Sequence, residues 1–261
     1  MLFAVTFDTH VFLRYLLFPD SATWHAMLAT VWIAVFAQSF GVLFGLISAL
    51  ARMSKLRILR FLSAVYVWFF RGTPVIVQVF FVYFGANLFL GFDLFPRTVD
   101  LGFFTVDGAA VAGMVALAVN EGAFMSEIIR AGIGAVDRGQ LEAAKSVGMS
   151  PVLAMRRIVL PQAARIIVPP LGNEFNNMLK TTSLLAFIGV RELFQDADIR
   201  YSSSFQATEY FSGVAVLYLL LTTIWGLIQG AIERRLGASD RELRDPMRMR
   251  FATALGGRWR P

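Results

Sequence analysis

Five long apolar runs, set apart by short charged connections, decide what this chain can fold into. They are Thr23–Ala51, Phe61–Leu90, Gly108–Ile129, Ile166–Val190 and Phe211–Ile232. A helix needs about 20 mostly apolar residues to cross a bilayer core, and each run is long enough. A soluble domain of this size would mix its charges through amphipathic elements. Here 57% of the residues are hydrophobic and only 16% are charged, and the mean hydropathy is +0.62. The expected fold class is therefore an all-α membrane protein of about five transmembrane helices. The second run carries Arg71-Gly72-Thr73-Pro74, and a bend is expected there because Pro74 has no N–H and clashes with the preceding turn.

The connections differ in charge. Loop 52–60 carries Arg52, Lys55, Arg57 and Arg60 and no acid, and loop 130–165 is also mainly basic. Loops 91–107 and 191–210 carry more Asp and Glu than Lys and Arg. Basic and acidic connections alternate along the chain, and the tail after Ile232 holds a run of arginines from Arg234 to Arg260. The positive-inside rule then puts the N-terminus outside and the C-terminus in the cytoplasm, a parity that five spans satisfy. The expected organisation is an extracytoplasmic segment over 1–22, a membrane domain over 23–236, and an Arg-rich cytoplasmic tail over 237–261. The tail is expected to be disordered or to rest on anionic lipid. The short Val11–Phe18 stretch contains Arg14 and no small-x-small cleavage site follows it, so the first long run is expected to be a retained span. The net charge of +6 belongs to this topology and implies no nucleic-acid partner.

The basic loop 138–161 has its own pattern. Good helix formers run from Gln140 to Val147, Gly148 can supply a left-handed residue, and Ser150-Pro151 is an N-cap followed by a proline at the first helical position. Two short helices with a Gly bend are expected, the second ending at Pro161. Leu141 and Ala144 share a face, small Ala143 and Ala144 let a partner approach closely, and Glu142 offers a carboxylate to a basic partner residue.

The spacing Glu142-Ala143-Ala144, Gly148, Ile158-x-Leu160-Pro161 resembles the signature loop of membrane permease subunits of type I ATP-binding-cassette importers. Gly122-Ala123-Phe124, Glu127-Ile128-Ile129-Arg130-Ala131-Gly132, Gly139-Gln140 and Leu179-Lys180-x-Thr182-Ser183-Leu184 are similar to the branch that takes up polar amino acids such as histidine, arginine, glutamine and glutamate. The resemblance covers about Thr30–Leu236. It implies that 138–161 is a coupling helix docking on separate ATPase subunits through Gln140, Glu142, Ala143, Ala144 and Gly148. It also implies a second permease subunit, identical or related, an extracytoplasmic amino acid-binding protein, and residence in a bacterial cytoplasmic (inner) membrane. The lysines follow Ser54, Ala144 and Leu179, so no Gly-Lys exists and a standard P-loop is excluded. ATP and Mg are expected on the partner, with no cofactor or metal in this chain, and the chain is expected to be a transporter subunit and no enzyme.

Charged and amide side chains inside a membrane span are costly and are functional candidates. Asn120 and Glu121 lie in the third run, and Asn173, Glu174, Asn177, Lys180, Thr182 and Ser183 lie in the fourth. At 1.5 Å per residue the two groups meet near the bilayer midplane. Asn173, Asn177 and Lys180 follow i, i+4, i+7 and share a face. Glu121 or Glu174 can hold a substrate ammonium, while Asn177, Thr182 and Ser183 can hold a carboxylate. The same groups can instead tie helices together. Pro169-Pro170 and Gly172 are expected to open the backbone below them. Gly41-x-x-x-Gly45 reads as a packing motif. The alternative function is an ion-coupled secondary carrier using the two glutamates. An intramembrane enzyme is disfavoured, since there is no Cys and the two histidines, His10 and His25, do not have metal-site spacing.

Overall fold

The computed structural model describes residues 7–85, 88–89, 91, 94–100 and 105–255, with side chains described through 236 except at 99, 100 and 105. It is mostly helical. Helix α1 spans Thr9–Leu17 and α2 spans Ser21–Met53, each started by an aspartate, Asp8 and Asp20, that accepts bonds from first-turn N–H groups. Helix α3 spans Arg57–Gly72 and α4 spans Val75–Phe80, which continues as a π turn over Phe81–Gly85. A short antiparallel hairpin pairs Thr98–Asp100 with Thr105–Asp107. Then come α5 (Gly108–Gly134), α6 (Arg138–Ser146) and α7 (Pro151–Ala154). A π turn over Met155–Val159 leads into α8 (Leu160–Thr181), followed by a 3-10 helix over Thr182–Ile188. Helix α9 spans Leu193–Ser204 and α10 spans Ala207–Leu255.

Among the described residues, three helices are long and apolar enough to cross a membrane: α2, α5 and α10 as far as Leu236. A fourth crossing is counted if α3 and α4 form one span, broken by a bend of 108° at Thr73-Pro74. Gln78 braces that corner by donating to the carbonyls of Phe70 and Thr73 and to the Thr73 hydroxyl. The fourth expected run, Ile166–Val190, differs from the expectation. Helix α8 does not reach the same apolar standard, because Asn173, Glu174, Asn176, Asn177 and Lys180 interrupt it. The α-helix also stops at Thr181 and gives way to the tighter 3-10 turn, which left-handed Gly189 closes at φ 83°. The far end of the second run and the centre of loop 91–107 lie outside the described residues, as do the side chains of the 237–261 tail.

Two proline expectations are corrected. Pro169 and Pro170 lie inside an unbroken α8. The Trp225 indole donates to the Gly172 carbonyl at 2.8 Å, and the Gln229 amide donates to the Pro169 carbonyl and to Asn173 Oδ1, both at 3.2 Å. These bonds from α10 supply donors beside a stretch where the two prolines have none. Pro161 does not end the loop's second helix. A π turn over Met155–Val159 lets α7 run on into α8, with Pro161 inside the continuous helical run.

Helices α2 and α5 run parallel and pack through glycine. A Cβ on Gly41 would sit 2.6 Å from Glu121 Cγ, and one on Gly45 would press on the backbone of Met125 and Ser126 at 2.9 Å. Ile33, Ala34, Ala37, Ala116 and Leu117 continue this seam as buried core. We expect Gly45→Val to destabilise the protein by about 1–3 kcal/mol or more, since backbone cannot yield as a side-chain tip can. Gly226→Ala, in open space on α10, is expected to leave the melting temperature unchanged or slightly raised. Thermal unfolding in detergent distinguishes the two; equal melting temperatures for Gly45→Val and wild type would refute this account of the seam.

A polar cluster fixes α1 and α9 to the start of α2. Asp196 is fully buried. Its Oδ2 accepts from Arg200 at 2.9 Å, from Thr23 at 3.0 Å and from Tyr15 at 3.4 Å, and its Oδ1 lies 3.5 Å from the Arg191 guanidinium. Arg200 also reaches Asp20 at 2.7 Å. The Thr23 backbone N–H and Arg200 hold the Asp20 carboxyl down to about 2, from 3.8. Because that value is depressed, the stabilisation is full above pH 3.8 and is lost as pH falls towards 2. Asp20 is largely exposed, so the effect is small. Wild type and Asp20→Asn should differ in melting temperature at pH 6 and converge over that acid range.

Candidate functional site: an interhelical cavity and a helical loop

The α3–α4 corner, α5 and α8 enclose a cavity of about 360 Å³ lined by Arg71, Asn120, Glu121, Phe124, Glu174 and Asn177, with Phe70, Thr73, Val75, Leu117, Met178 and Thr181 completing it. Each helix brings its groups there for a local reason. Glu121 is buried because Gly41 leaves room for its side chain. Gln38 of α2 donates to Glu121 Oε1 at 3.1 Å. Asn120 donates to the Phe70 carbonyl at 3.1 Å and to Gln78 Oε1 at 2.9 Å, which ties α5 to the bend. Arg71 ends α3 at that bend, and its guanidinium lies 5.2 Å from the centre of the Phe124 ring. Glu174 is half-buried on α8, facing the same space.

The structure thus brings Asn120, Glu121, Glu174 and Asn177 together and turns the other four candidates elsewhere. Asn173 is bonded to Gln229 of α10. Lys180 and Ser183 line a separate groove with Phe194, Phe211 and Tyr218. Thr182 is fully buried, and its hydroxyl and that of Ser183 donate to the carbonyls of Leu179 and Lys180. The switch to a 3-10 turn at Thr182 rotates both hydroxyls onto the backbone, so neither is a carboxylate donor for the cavity. Arg71, Gln38 and Phe124 are outside the expected set. Their signal was present, since Arg71 and Gln38 are polar residues inside apolar runs. Glu127, outside the cavity, pairs with Arg130 at 2.6 Å.

In the 138–161 loop, Asp137 caps α6 by accepting from the Gly139 N–H at 2.6 Å. Gly148, at φ 78°, closes the helix, with its N–H on the Lys145 carbonyl and that of Met149 on the Ala144 carbonyl. Ser150 caps α7. Gln140, Glu142, Ala143 and Gly148 are exposed. Ala144 is not available to a partner: it is 2% exposed, and its face of α6, shared with Leu141, turns inward toward the chain's own core around Val159 and Met155. The free apolar surface lies at the bend instead, where Val147 and Val152 are 77% and 78% exposed.

Residues 41–238 match the family described as binding-protein-dependent transport system inner membrane component. The chain belongs to this family. It is similar to a probable amino-acid permease protein, YxeN, of Bacillus subtilis, with 38% identity over 81% of this chain and 89% of the relative. It is also similar to the L-cystine transport system permease protein TcyB of Bacillus subtilis, with 39% identity over 79% and 83%. Among solved structures, an amino acid ABC transporter crystallised with histidines has a chain that matches with TM-score 0.75 and 35% identity, over 88% of this permease and 99% of that chain. The ABC importer permease fold expected from the loop is thus the fold found, and the importer reading is supported over an ion-coupled carrier.

Proposed function

We propose that this permease passes a polar amino acid across a bacterial inner membrane by way of the α3–α4–α5–α8 cavity. The observation that carries the reading is the lining of that cavity: two carboxylates, Glu121 and Glu174, share it with the Arg71 guanidinium and the Asn120 and Asn177 amides. A zwitterion presents an ammonium and a carboxylate, and this set offers a charge-assisted partner to each. The names of the similar proteins support an amino acid as cargo.

The remaining parts of the proposal follow from the same architecture. Five crossings, with α8 and its 3-10 extension as the fourth, put the N-terminus outside and both the 138–161 loop and the C-terminus in the cytoplasm. The parallel course of α2 and α5, with α3–α4 returning between them, supports that parity. The half-buried Glu174 and the exposed Asn177 and Lys180 are costly against lipid, which supports a second permease subunit beside α8. ATP and Mg belong to ATPase subunits seated on the loop, and an extracytoplasmic binding protein delivers the substrate.

The test is binding of radiolabelled amino acids to the purified permease. Glu174→Gln and Arg71→Gln are each expected to weaken binding about 10–100-fold, the worth of one hydrogen bond to a charged group. Asn173→Ala, whose side chain faces α10, is expected to leave it within about twofold. Loss on Asn173→Ala with no effect of Glu174→Gln and Arg71→Gln would place the path elsewhere.

A further inference from the structure

A second cavity, of about 330 Å³, opens between α2 and α3 and is lined by Phe44, Ile47, Ser48, Ala51, Leu59, Leu62, Ser63, Tyr66 and Val119. Its walls are almost wholly apolar. Its few polar groups are spent internally: Ser48 and Ser63 share a bond at 2.8 Å, Ser126 donates to Ser48, and the Tyr66 hydroxyl donates to the Val119 carbonyl. The floor therefore offers nothing to a polar ligand. The end of the groove at Ala51 and Leu59 runs into the turn that joins the two helices. The turn and the helix ends that flank it carry Arg52, Lys55, Arg57 and Arg60 and no acid. Arg60 is pinned over it, donating to the Ser54 and Lys55 carbonyls at 3.0 and 3.1 Å. Lys55 and Arg57 are exposed.

We infer that this groove binds one anionic phospholipid, with an acyl chain along the α2–α3 walls and the phosphate on the basic turn. Both ends of the ligand are matched, a slot for hydrocarbon and clustered cations at its mouth. The chemistry differs from that of the substrate cavity, whose lining mixes acids, amides and a guanidinium. That the turn meets the inner leaflet rests on the topology proposed above; the match of slot to cations does not.

Native mass spectrometry of the full-length permease, released from nanodiscs of mixed phosphatidylglycerol and phosphatidylcholine, reads the retained lipid directly. Wild type should keep one phosphatidylglycerol per chain in clear preference to phosphatidylcholine. The double variant Lys55→Gln, Arg57→Gln should lose that preference by about tenfold or more, since each cation near a lipid surface is worth close to a factor of five. Ala51→Phe, which fills the slot, should lose both lipids while the melting temperature is kept. Equal retention of the two lipids by wild type, or an unchanged preference in the double variant, overturns the proposal. So does an Ala51→Phe variant that changes the number of chains per particle and not the lipid count, which would make the groove a protein interface. The side of the membrane is read separately. The chain has no cysteine, so Lys55→Cys gives a unique thiol. Its labelling by an impermeant maleimide from outside intact cells would refute the topology and leave the lipid result standing.

Discussion

Glu142→Lys is expected to reduce ATP-driven uptake about 30- to 1000-fold while the protein still inserts and folds. Glu142 is exposed on α6, and its backbone carbonyl accepts from the Ser146 hydroxyl at 3.0 Å. Its carboxylate holds nothing within the described part of this chain, so reversing its charge costs the fold little. On the proposed docking surface the same change puts like charges face to face. A central interface contact of this kind is worth about 2–4 kcal/mol, or about 30- to 1000-fold. The neighbouring exposed Val147 and Val152 supply the apolar part of that surface, and Val152→Asp is expected to act in the same direction. The measurement is uptake by the reconstituted complex, with membrane insertion and melting temperature as controls. Normal uptake by Glu142→Lys would remove the loop from the coupling path.

The second large effect concerns stability. Arg200→Ala is expected to cost about 3–5 kcal/mol, because it strands the buried Asp196 carboxylate and frees Asp20 at the same stroke. The remaining cation, Arg191, stands 3.5 Å from the other oxygen and is itself well exposed. Removing both charges with Asp196→Asn, Arg200→Met should recover much of the loss, since the uncompensated buried charge is the expensive element. Denaturation in detergent would show a large drop for the single variant and a smaller one for the pair. A single variant as stable as wild type would mean that Tyr15 and Thr23 suffice to hold Asp196.

Much of the fold was legible from the chain because membrane spans write themselves as length and apolarity. Three of the five expected runs are the helices α2, α5 and α10, and the Pro74 corner bends where a proline must. The loop's turn chemistry was equally plain, since Gly148 and Ser150-Pro151 each permit one local conformation best. What escaped was anything fixed by a partner far along the chain. The i, i+4, i+7 spacing put Asn173 with Asn177 and Lys180, but Trp225 and Gln229 claim the Pro169–Asn173 face of α8. Thr182 and Ser183 are expected on a continuing α-helix, and a change to three residues per turn moves them onto the backbone. Ala144 read as a free small residue, and the fold of α6 against the segment around Val159 buries it. Arg71 was visible as a charge in an apolar run, but only the bend at Thr73-Pro74 carries it to Glu121 and Glu174.

The most direct test of the central claim is amino acid uptake into proteoliposomes holding this permease, with and without the ATPase subunits, ATP and the binding protein. Uptake is expected only when all of these are present, with Glu174→Gln lowering it and an imposed proton or sodium gradient making no difference. Uptake by the permease alone, driven by such a gradient, would contradict that claim.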